Sequence, residues 1–126
     1  MSAMPAHTRV CGASEIPEGG RVVAQFETAA VGVFRLRGEL YAWENRCPHM
    51  GGPVCQGTIL PRVVEKLTDS SASCGFAFDE SDMHIVCPWH GFEFSIATGR
   101  HAAHSPVRLR AIPVKEVEGE VYVELP

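Results

Sequence analysis

Two short stretches of the chain each offer a thiol and an imidazole: C-P-H-M-G-G-P, from Cys47, and C-P-W-H-G-F-E-F, from Cys87. One residue separates Cys47 from His49, and two separate Cys87 from His90. Two loops of this kind can pinch a metal centre from opposite sides with two sulfur and two nitrogen ligands. A structural zinc site is one reading, because Cys₂His₂ with short spacings is also a zinc signature. The order of the ligands speaks against it. A zinc finger pairs Cys with Cys and His with His, whereas here each histidine comes second in its pair, a proline follows each cysteine, and Gly91 follows His90 directly.

The segments that must position these loops read as short strands. Arg21–Phe26 and Ala30–Leu36 are rich in β-branched and aromatic residues, and R-G-E at 37–39 is a hairpin turn into Leu40–Glu44. Met83–Val86 reads as a strand delivering Cys87, Phe92–Ile96 as one leaving the second loop, and A-T-G at 97–99 as the turn that ends it. Ala111–Val117, the E-G-E turn at 118–120 and Val121–Leu125 make a further hairpin with alternating apolar positions. The pattern is all-β.

The two motifs resemble the ligand loops of the Rieske [2Fe-2S] family. In that family two cysteines hold one iron and two histidines the other, which raises the reduction potential above that of a four-cysteine cluster. The resemblance assigns Cys47 and Cys87 to the buried iron and His49 and His90 to the outer one. Charge explains the use of such a set: four thiolates would leave an oxidised cluster at −2, whereas two thiolates and two neutral imidazoles leave it neutral and easier to reduce. Gly51, Gly52 and Gly91 would let the loops turn tightly and bring backbone N–H groups near the sulfides.

The resemblance implies a β-sandwich base carrying a small inserted cluster-binding subdomain, at about residues 45–100 of a single domain over 1–126. Pro106 falls where the resemblance implies a proline-containing loop over the cluster, the alternative being an ordinary loop proline. Relatives of the cytochrome bc type carry an extra cysteine in each ligand loop, and a serine and a tyrosine that bond the cluster sulfurs. Here the corresponding positions are Gly52, Trp89, Phe92 and Phe94, which points to the low-potential, oxygenase-associated branch.

The interval from His49 to Cys87 is long for a compact ferredoxin, the excess lying at about 57–82. Within it, Pro61 is placed to open a short helix with Leu60, Val63, Val64 and Leu67 on one face. T-D-S-S-A-S at 68–73 reads as a flexible loop, and Cys74–Phe78 as an added strand that D-E-S-D at 79–82 turns back into Met83–Val86. A tolerated surface elaboration is favoured over a docking device.

At 126 residues the chain has room for one modest core. A net charge of −4 without any basic run gives no support to nucleic-acid binding or a polybasic membrane anchor. No apolar stretch approaches transmembrane length and the start lacks a secretory hydrophobic core, so a cytoplasmic location is expected. Five cysteines exclude a complete disulfide framework, leaving Cys11, Cys55 and Cys74 as expected free buried thiols, with a Cys55–Cys74 bridge as the less favoured alternative. Among the other histidines, His7 is expected in a disordered tail and His84 in a strand. His101 and His104 are expected to face solvent, since no acidic residue between Glu93 and Glu116 completes a two-His, one-carboxylate iron site. Trp89 and Phe92 are expected to pack around the cluster, and Trp43 and Tyr41 in the core.

The function implied is one-electron transfer by a Rieske-type ferredoxin, from a flavin-containing reductase to a terminal oxygenase, with no catalysis of its own. The alternative is a small Rieske subunit of a larger redox complex such as a nitrite-reductase-like enzyme.

Overall fold

Alternation along β3 and β4 sets the layering of the molecule. In the computed structural model β3 spans Ala30–Leu36 and β4 spans Glu39–Glu44. Val31, Val33 and Ala42 point into one buried cluster, and Phe34 and Trp43 into another. Successive side chains of a strand face opposite ways, so this sheet has two cores, one on each side. The structure describes residues 7–67, 73–103 and 105–126, and side-chain surroundings for all of these except 64–67 and 73–76.

Among the described residues the fold is three antiparallel sheets of three strands each. The middle sheet is β2 (Arg21–Gln25), β3 and β4. A terminal sheet joins β1 (His7–Gly12), β9 (Glu120–Glu124) and β8 (Val114–Val117), with β9 central. Cys11, Ile16, Ile112, Val121 and Val123 fill the space between these two sheets with Val31, Val33 and Ala42. The third sheet is β5 (Thr58–Leu67), β6 (Ser73–Val86) and β7 (Glu93–Ser95), and it carries both Cys/His loops at its end. Its core of Val54, Cys55, Ile85, Phe94, Ile96 and Leu109 rests on Phe34 and Trp43. No α-helix occurs among the described residues.

Both hairpin turns expected from the sequence are present. Arg37 and Gly38 have φ of 52° and 78°, and Glu118 and Gly119 have 50° and 79°, the double left-handed turn that matches strand twist. Glu18 secures the first turn by accepting the Arg37 and Gly38 backbone N–H groups.

Three expectations are corrected. The segment after Pro61 is strand rather than helix: Thr58–Leu67 pairs with β6 throughout. Proline is accommodated because the register shifts immediately after it, between Pro61 and Arg62, and a bulge is where a strand tolerates a residue without an N–H. D-E-S-D at 79–82 does not reverse the chain either. Pro61 faces Met83 and Arg62 faces Asp79, so residues 80–82 form a bulge within one continuous strand. His7 is not in a loose tail but starts β1, opposite Glu124. The loop expected at 68–73 lies outside the described residues up to position 72.

Candidate metal centre

The two loops are built alike. In each, the cysteine carbonyl accepts a bond from a glycine four residues on, Gly51 at 2.7 Å and Gly91 at 3.0 Å. Both glycines are left-handed, with φ of 81° and 72°, a conformation that strains any residue bearing a Cβ. Each cysteine N–H then bonds the carbonyl one position further, Cys47 to Gly52 and Cys87 to Phe92. Local sequence alone therefore closes both turns, and the sheet presents them to each other.

The loops meet with thiols inside and rings outside. Cys47 and Cys87 are each 2% exposed, while His49 and His90 are exposed. The two imidazoles lie edge to face with centroids 5.0 Å apart. Burial pushes the Cys47 thiol up from its ordinary range, the neighbouring Cys87 thiol adds to this, and the backbone N–H groups of His49 and Met50 oppose it. Those two donors aim at Cys47 sulfur and would stabilise a thiolate there. Gly52 is buried against the second loop, where a Cβ would lie 2.8 Å from Trp89 Cγ and 3.0 Å from Cys87 Sγ. Only glycine lets the loops approach this closely. Trp89 thus covers Gly52 while staying 59% exposed, and Met50 of the first loop is 61% exposed, so the loop tips carry open apolar surface.

Among the described residues no three Cys, His, Asp or Glu side chains converge on a single ion. Thiol beside thiol and ring beside ring is instead the donor set for a two-metal centre. Soft thiolates on the buried side, imidazoles on the wet side, and backbone donors around the sulfurs all suit a mixed-ligand iron–sulfur cluster.

The remaining expected residues fall as follows. Phe94 is completely buried under the loops, and Phe92 stacks on His49 with centroids 3.9 Å apart. Trp43 is in the core and donates its indole N–H to the Ile96 carbonyl at 2.8 Å, joining the middle sheet to the residue that follows β7; Tyr41 packs at the edge of the same core. Pro106 is exposed in the loop after His101. Cys11 and Cys55 are free and buried, and burial pushes the Cys55 thiol up to about 12. Cys74 lies in β6, its side-chain surroundings outside what is described, and His104 is outside the described residues.

Two histidines have roles that sequence reading missed. His84 is 3% exposed, with one ring nitrogen facing Glu93 and the other 3.0 Å from Asp82, whose second oxygen accepts from Ser95. Asp82 lies two residues before His84 in β6 and so shares its face of the strand. His101, expected in solvent, stacks on the far side of Phe92 at 4.9 Å. Neither arrangement leaves a local sequence signal beyond alternation around Ile85, which places His84 on the opposite face of β6.

A sheet base bearing two matched Cys/His loops, with rings outward, defines an electron-transfer protein with a mixed-ligand iron–sulfur centre. Residues 6–113 match the Rieske [2Fe-2S] domain family. The sequence is 32% identical over 118 residues to ferredoxin CarAc of Metapseudomonas resinovorans, covering 91% of this chain and 90% of that one. The structure is similar to a ferredoxin solved in complex with the oxygenase of carbazole 1,9a-dioxygenase, at 30% identity and a TM-score of 0.66 over 94% of this chain and 92% of that one. It shares its fold with a Mycobacterium tuberculosis protein assigned as the small subunit of an NADH-dependent nitrite reductase, at 18% identity and a TM-score of 0.68, covering 95% of each. This chain belongs to the Rieske [2Fe-2S] family. Within it the chain is a Rieske-type ferredoxin, an electron carrier rather than an enzyme in its own right.

Proposed function

We propose that the chain carries single electrons from a flavin-containing reductase to a terminal oxygenase in the cytoplasm, with Cys47 and Cys87 holding the inner iron and His49 and His90 the outer one. The observation that carries this reading is the pair of matched loops whose thiols are buried and whose imidazoles are exposed. The bound cluster supplies one-electron chemistry. The protein's contribution is positional: backbone turns fix the four ligands, Phe94 and Val54 keep water from the thiol side, and the exposed rings bring a partner close.

The cluster-binding subdomain is assigned to residues 45–100, with the 57–82 segment as an elaboration of it. Its support is the chain path: the middle sheet ends at Glu44, and the return is marked by Glu44 N–H bonding the Arg110 carbonyl and by the Trp43–Ala111 bridge. No helix of the described residues is long and apolar enough to cross a membrane, which is compatible with the proposed location.

Anaerobically purified protein is expected to contain two irons and two acid-labile sulfides and, when reduced, to give the electron paramagnetic resonance signal of a mixed-ligand cluster. Added flavoprotein reductase should reduce it and an oxygenase reoxidise it, while the isolated chain turns over no substrate. One tightly bound zinc without sulfide would overturn the ligand assignment, and substrate turnover by the chain alone would overturn the carrier role.

A further inference from the structure

Phe92 lies flat between two imidazoles. Its ring is 8° from parallel with both His49 and His101, so three rings form one continuous stack from a proposed outer ligand to the flank of the molecule. His101 is held in the stack by its backbone bridge to Phe94 and by a contact of 2.6 Å between its Nδ1 and Ser105 Oγ.

Beyond His101 the surface is cationic. Arg100, His101, Ser105, Pro106 and Arg108 line one hollow of about 200 Å³. Arg100 and Arg108 are cross-strand partners in an antiparallel bridge, so their side chains leave on the same face and their charges repel. Both are exposed, and among the described residues neither has a carboxylate within ion-pair distance; Arg108 reaches only the Thr98 carbonyl, at 3.4 Å. By contrast Arg9, Arg35 and Arg110 each have a glutamate partner. In a chain of net charge −4, this leaves two uncompensated guanidiniums together, beside an aromatic path that reaches His49.

We propose that this hollow is a docking site for a carboxylate on an acidic protein surface, the surface of a redox partner, which it seats against the outer end of the His49–Phe92–His101 stack. The proposal rests on the electron-carrier reading and adds the chemistry of the partner. Guanidinium suits the task, because its fork of donors takes a carboxylate in two parallel hydrogen bonds. The site is also exposed and therefore weak for any single ion, which fits a brief redox encounter steered by charge rather than a tight small-ligand pocket.

The test uses cluster-loaded protein and two redox proteins of opposite charge, acidic flavodoxin as donor and basic cytochrome c as acceptor, followed by stopped flow. Arg100→Glu with Arg108→Glu should leave the visible spectrum of the cluster intact. It should slow exchange with flavodoxin at least tenfold at low salt and flatten its salt dependence, without slowing cytochrome c. A control pair in the sheet that bears no ligand loop, Arg9→Glu with Lys115→Glu, changes net charge equally; at 0.1 M salt, where screening confines charge effects to within about 10 Å, it should alter the flavodoxin rate less than twofold while the arginine pair still slows it. If the glutamate pair fails to fold, Arg100→Gln with Arg108→Gln should give the same ranking at smaller amplitude. Equal slowing by the control pair, or an unchanged flavodoxin rate in the arginine variants, would overturn the docking site. A cluster-loaded protein that exchanges electrons with neither probe would refute the carrier reading instead.

Discussion

By the resemblance of the second loop to Rieske motifs, Phe92 and Phe94 correspond to the two positions expected to carry hydroxyl groups in high-potential relatives, and what their rings do instead shapes the expected chemistry. Phe94 is fully buried beneath the loops, and Phe92 clamps the His49 ring. Neither donates a hydrogen bond, so less offsets the negative charge gained on reduction and the potential should lie toward the lower end of the Rieske range, about −150 mV. Phe94→Tyr supplies one hydroxyl on the thiol side. Redox titration of the cluster should place its midpoint higher by tens of millivolts, to order of magnitude. A native midpoint well above zero would remove the basis of this argument. Loss of a proposed ligand acts differently: His90→Ala should bleach the visible spectrum and lower the melting temperature together, because ligands drawn from separate loops make cluster binding part of folding stability.

At the scale of elements, the ligand loops depend on close backbone contact with what lies beneath them. Gly32 in β3 faces the turn after the first loop, and a Cβ there would sit 2.4 Å from Cys55 Cβ. Gly32→Ala should therefore lift that turn off the middle sheet, costing about 1–3 kcal/mol as overpacking does, and thermal unfolding should show it even where some cluster is retained. The second loop is held by the Asp82–His84–Glu93 contact between β6 and β7. His84→Leu strands two carboxylates that are only partly solvated, and should destabilise the protein by about 1–3 kcal/mol in chemical denaturation. An unchanged midpoint there would make the contact dispensable. Much of this layer was legible in the sequence and some was not, for a physical reason. The ligand loops and the turns at Arg37–Gly38 and Glu118–Gly119 are closed by residues only a few positions apart, so their composition announces them. The strand after Pro61 is not: Leu60, Val63, Val64 and Leu67 have helical spacing, and only pairing with β6 overrides it. His7 in β1 is likewise fixed by Glu124 at the other end of the chain, and the stacking of His101 on Phe92 needs the tertiary fold. Local chemistry was readable, and nonlocal pairing was what it concealed.

Across the whole molecule, the two cores on either side of the middle sheet divide the work, one holding the terminal sheet and the other carrying the metal centre. The long β5–β6 hairpin belongs to neither beyond its bulge. On the inner side of the bulge, Ile59, Met83 and Ile85 pack into the core under the loops. On the outer side, Val63 and Phe78 are direct cross-strand partners, yet 47% and 69% exposed. A ladder whose described outer side chains face solvent adds little to the stability of the site. Removing residues 63–78 and closing Arg62 to Asp79 with a two-residue Asn-Gly turn should therefore preserve iron and sulfide content and the midpoint potential. Melting should shift by a few degrees at most, on the order of the change that about 1 kcal/mol produces in a domain of this size. Electron transfer between a reductase and an oxygenase should continue at the same rate and with the same salt dependence, since the apolar tip at Met50 and Trp89 and the cationic hollow at Arg100 and Arg108 are both untouched. Slower transfer in a shortened variant with full cluster content would show that the exposed Val63–Phe78 face meets a partner, and would reassign the hairpin from elaboration to docking device.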